Sequence, residues 1–62
     1  MKFVLEVTVD DGGEAQDRAR GLERILRYWG GNLRHYPVEP GAGSAVYDSA
    51  YQEVGAWRVE AS

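Results

Sequence analysis

The chain has 62 residues, 44% of them hydrophobic, with seven basic and ten acidic side chains, a formal charge of −3 and no cysteine. Such a length makes one domain, residues 1–62, with a small core. Disulfides and thiolate zinc sites are excluded, one histidine builds no His-rich metal site, and nothing in the sequence implies a cofactor.

Residues 2–9, KFVLEVTV, alternate cleanly and predict a half-buried strand, with Phe3, Leu5, Val7 and Val9 on one face and Lys2, Val4, Glu6 and Thr8 on the other. This segment lacks the apolar run and cleavage site of a signal peptide. No apolar stretch approaches the roughly 20 residues that span a bilayer. The chain therefore reads as complete, soluble and cytoplasmic, with no membrane partner. DDGG ends the strand. Asp10 or Asp11 is placed to cap a following helix, with Glu14 and Asp17 near its positive end.

Residues 13–29 carry a helical period. Ala15, Ala19, Leu22, Leu26 and Trp29 form one stripe, with Ile25 at its edge. The expected core packs Leu22, Leu26 and Trp29 on Phe3, Leu5 and Val7, completed by Trp57 or Val59. Opposite lie Arg20, Arg24 and Arg27. Glu14 and Glu23 each precede an arginine by four, the favourable order for helical ion pairs with Arg18 and Arg27. Gly30 is expected to end the helix in a left-handed conformation, and Gly31 to release the chain.

Residues 32–38, NLRHYPV, read as a short strand that Pro37 confines to an edge. EPGAGS is a loop. AVYD and EVGAWRVE then form a hairpin closed around SAYQ, in which Gly55, Trp57 and Val59 share one face. Gly55 is expected to let the helix or a ring approach the sheet. The fold class is α+β: one helix packed on one face of a small three- to four-stranded, mainly antiparallel sheet, in the order β-α-(β)-β-β. The other sheet face has no covering element, so it faces water or a partner.

The densest chemistry lies in residues 26–36, LRYWGGNLRHY. Its first reading is packing plus a helix stop, with Tyr28 and Tyr36 half-buried. A second gathers Arg24, Arg27, Arg34, His35 and Tyr36 into one anion- or partner-binding surface, since arginines beside stacking aromatics suit single strands. A third makes His35 a catalytic base, but no triad partners stand at readable spacing. DDGGEA follows a strand and opens a helix, yet lacks the GxGxxG and GK[ST] patterns of phosphate loops. The acidic residues are interleaved with arginines, as on an ordinary solvated surface. No catalytic residues are assigned and no enzyme is expected.

The hairpin and the helix end also carry a resemblance. Ile25, Leu26, Arg27, Asp48, Val54, Gly55, Trp57 and Val59 resemble a pattern in small uncharacterised proteins of actinobacteria and their phages, where a strand and a helix precede a hairpin ending Val-Gly-x-Trp-x-Val. The resemblance implies the fold and a mobile-element origin, and no activity. Ala50-Tyr51 stands where such turns favour Asn-Gly, which argues against a tight two-residue turn.

The expected function is a small non-enzymatic interaction module that binds a protein partner or self-associates as a homodimer. A core this small supplies only about 3–5 kcal/mol by itself, and association is one remedy. The alternative is a nucleic-acid-associated protein using the surface of Arg20, Arg24, Arg27 and Arg34, against which the acidic balance weighs.

Overall fold

A computed structural model describes all 62 residues. Strand β1 spans Lys2–Val7, helix α1 Ala15–Asn32, strand β2 Gly43–Tyr47 and strand β3 Glu53–Glu60. The sheet is three-stranded and antiparallel in the order β1-β3-β2. This is the α+β architecture of one helix on one sheet face. No helix is long and apolar enough to cross a membrane.

Alternation decides the sheet faces. Phe3 pairs with Val59, Leu5 with Trp57 and Val7 with Gly55 on the face beneath α1. Ser44 and Val46 of β2 join that face through Trp57 and Gly55. The opposite face carries Lys2, Glu6, Arg58 and Glu60. There Arg58 donates through Nη1 to Glu6 and through Nε to Glu60 at 2.7 Å. The hydrogen bond to Glu6, then that to Glu60, pushes the guanidinium pKa up. All three side chains are well exposed, so this trio adds little stability.

The core is Ile25 and Trp29 of α1 against Val46, Trp57 and Val59 of the sheet. This corrects the helical register, because Leu26 is 53% exposed. The buried and half-buried stripe is Arg18, Gly21, Leu22, Ile25, Trp29, Asn32 and Leu33. Leu26 sits about 100° round the helix from Ile25, beyond what a three-stranded sheet can cover. The expected stripe counted Ala15 and Ala19, which the sheet leaves exposed.

The helix ends also differ from expectation. Glu14 is the N-cap residue and makes no side-chain capping bond. Asp10 instead accepts from Gly12 N at 3.0 Å. Arg18 forgoes Glu14, and its Nη1 donates to the carbonyls of Asp11, Gly12 and Gly13 at 3.1–3.3 Å. It thereby ties the β1–α1 loop to the first helical turns. Arg27 forms no ion pair with Glu23, and the helix pair that does form is Arg20–Asp17 at 2.9 Å.

At the other end α1 runs straight through Gly30 and Gly31, neither of which has positive φ. Residues 33–35 continue as a 3₁₀ turn, so the possible fourth strand over 32–38 is absent. Tyr36 then turns extended, at φ −120° and ψ 147°. Pro37 supplies the reason, since it disfavours helical geometry in the residue before it. The stop is therefore proline's.

Gly55 is required for a different approach from the one expected. A Cβ there would collide with the carbonyl oxygen of Glu6 in β1, not with a ring. The neighbouring bulge between Val46 and Tyr47 pairs Val46 with Gly55 and Tyr47 with Glu53.

The corrected register makes a sharp expectation for stability. Ile25→Ala should cost about 2–4 kcal/mol, much of the total for a chain this short. Leu26→Ala should cost less than about 1 kcal/mol. Chemical denaturation of both variants checks this, and equal losses would contradict the register.

Candidate functional site

Of the segment LRYWGGNLRHY only Trp29 is buried, with Asn32 and Leu33 half-buried and the other residues exposed. Trp29 is buried, and its ring lies 5.6 Å from that of Trp57, edge-on. Tyr36 reaches both, with centroids 5.4 Å from Trp29 and 5.5 Å from Trp57. The turn at Pro37 thus folds Tyr36 back over the core. Tyr28 stands edge-on to Trp29 at 5.2 Å and remains largely exposed.

The five residues singled out as a binding surface do not all converge. Arg24 and Tyr36 line one groove, and Arg24 also lines the wider cleft in which Arg27 stands. That second cleft lies between α1, the end of β1 and the turn end of the hairpin, where acids and arginines stand beside Val7, Leu22 and Val54. Arg34 and His35 lie in the exposed 3₁₀ turn and line neither depression.

The first groove is the more enclosed of the two. It is about 430 Å³ in volume and runs between α1 and β2. Tyr28, Trp29 and Tyr36 line it on the helix side, and Tyr47 and Tyr51 line it at the end of β2 and in the turn that follows. Ala45 also lines it, although alternation points its side chain to the opposite sheet face. The floor therefore runs along the backbone edge of β2.

That edge is unguarded. Val59 N donates to Ala42 O, and Asp48 N to Gln52 O, which sets the phase of the β2–β3 ladder. Ala42, Ser44, Val46 and Asp48 turn their backbone groups to β3, while Gly43, Ala45 and Tyr47 turn theirs outward. Edge strands are ordinarily protected by lysine, proline or other charge. The sequence of β2, GSAVY, has none of these, whereas the other edge, β1, has Lys2 and Glu6.

Sequence reasoning missed Tyr47 and Tyr51. The available signal was an uncharged edge segment running into a turn flanked by tyrosines. The turn itself is built by Asp48. Its Oδ1 accepts from Ala50 N and Gln52 N, both at 2.9 Å, and its carbonyl accepts from Tyr51 N at 3.0 Å. The result is a three-residue loop whose last residue is left-handed, a place that suits glycine. Tyr51 occupies it, at φ 60° and 88% exposed. No packing contact explains a tyrosine there, and the backbone at positive φ leaves its ring in the open.

Compared with known proteins, the chain matches no family profile, no curated protein and no solved structure.

Removing the strain should be visible. Tyr51→Gly should raise stability by about 0.5–1 kcal/mol, as relief at positive φ outweighs the added freedom of the unfolded chain. A thermal melt reads this as a higher midpoint. A lowered midpoint would mean that the tyrosine is held for packing.

Proposed function

We propose that this chain is a small, non-enzymatic, cytoplasmic interaction module that acts by binding protein, either a partner or itself. One observation carries the reading: an aromatic groove lies beside an uncharged, unpaired strand edge. Tyrosines at such a site offer large amphipathic contact area at small entropic cost. The outward backbone groups of Gly43, Ala45 and Tyr47 offer a template for strand addition, with the Ala45 carbonyl keeping one lone pair beside the bond it accepts from Ser44 Oγ at 3.1 Å. The likeness of the hairpin to actinobacterial and phage proteins makes a mobile-element origin part of the proposal.

The nucleic-acid reading draws on Arg24 standing among tyrosines. Arg20 and Arg27 line the wider cleft with it, but acids interleave with them there, Arg20 is paired with Asp17, and Arg34 lies beyond the end of α1. The two readings part under photocrosslinking. A photoreactive phenylalanine analogue replacing Tyr28 or Tyr51 in cells should yield protein adducts, and the same analogue at Glu23 should not. Adducts to nucleic acid from the Tyr28 position would overturn the proposal in favour of the alternative, and adducts to neither would overturn it outright.

A further inference from the structure

We infer that the occupant of the β2 edge is a second copy of this chain, paired antiparallel about Ala45 to give one six-stranded sheet, β1-β3-β2-β2-β3-β1. The inference rests on the protein-binding reading above and names its partner and surface.

A two-fold interface sets each charge near its own symmetry mate, so it favours an uncharged segment. β2 is the one strand of the sheet with no charged residue. Its outward groups fall on Gly43, Ala45 and Tyr47, and the Ala45 carbonyl, which accepts from Ser44 Oγ at 3.1 Å, has a second lone pair for a partner strand. Only pairing centred on Ala45 matches all three with their mates while overlapping the whole strand. In that register Tyr47 stands opposite Gly43 of the second copy. Gly43 is already fixed as glycine by its own sheet, since a Cβ would come within 2.6 Å of the Trp57 carbonyl oxygen. The space above it suits a tyrosine ring, an arrangement that compensates for glycine in strands.

The axis stands perpendicular to the sheet, so both helices lie on the same face and the two grooves merge over the seam. With α1 seated over Trp57 of β3, the helices would be about 14 Å apart, three strand spacings. Helices in direct contact lie about 8–10 Å apart. The difference is a width that the rings of Tyr28 and Tyr36 fill. Tyr28, Tyr36, Tyr47 and Tyr51 together leave on the order of 400–500 Å² exposed per copy. That is more than half of the roughly 800 Å² per partner in a stable interface, before the strand edge itself is counted.

The test is sedimentation of the full chain with residue-resolved amide exchange at two concentrations. A doubled mass at micromolar concentration is expected, with concentration-dependent protection at Gly43, Ala45 and Tyr47. Ala45→Lys, which places a charge on the two-fold axis, should weaken association by at least about tenfold while circular dichroism stays native. A dimer protected elsewhere, or one indifferent to Ala45→Lys, would overturn the inference. Should that variant fail to fold, the exchange pattern of the unmodified chain decides. A chain monomeric throughout would also overturn it, and adducts from the Tyr28 or Tyr51 analogue to other proteins would then leave the broader reading standing.

Discussion

The structure depends on the burial of Trp57. It occupies the middle of the central strand, is 1% exposed, and pairs through the backbone with Leu5 on one side and Ser44 on the other. Phe3, Trp29 and Tyr36 surround its ring at centroid distances of 5.5–5.7 Å. These contacts join β1, α1, the 36–42 connection and β3 at a single side chain. The packing also bears a cost, because the indole Nε1 is buried without an acceptor. An unmet donor costs about 1–3 kcal/mol, which the aromatic contacts must exceed.

Centring the core on one residue of β3 explains which neighbours are fixed and which are free. Gly55, two residues before Trp57, lets β1 close against β3, and the bulge beside it absorbs Val54. Ile25 and Trp29 pack into the core around Trp57, while Leu26 lies outside it. The N-terminal half of α1 overhangs the sheet, anchored by Arg18 on three loop carbonyls. The Cα radius of gyration, 12.6 Å, accordingly exceeds the roughly 10.6 Å of a compact chain this long. Apolar surface is left open on the β2 side, where the proposed partner sits.

Much of this was legible in the sequence. The alternation of KFVLEV and of VGAWRV reports period two directly, so β1, β3 and their shared face could be read without tertiary knowledge. The helix was legible as a helix, but its phase was not. Ile25 and Leu26 are adjacent and equally apolar, and the width of the sheet beneath decides between them. Gly30 misled because glycine permits a left-handed stop without requiring one, whereas Pro37 constrains Tyr36 outright. The candidate site was the least legible part. Arg24 and Tyr36 were singled out, but Tyr47 and Tyr51 meet them only once β2 proves to be an edge, which is a property of strand order.

The central claim is that a core built around Trp57 leaves the β2 edge unfinished and that association completes it. The most direct measurement is the thermal unfolding midpoint across about a hundredfold range of protein concentration. Where the folded state is a dimer and the unfolded state is not, mass action raises the midpoint with concentration. The account expects that rise. A midpoint that stays constant across the range would mean that Trp57 and its four neighbours in the core hold the chain folded alone, and would contradict the claim.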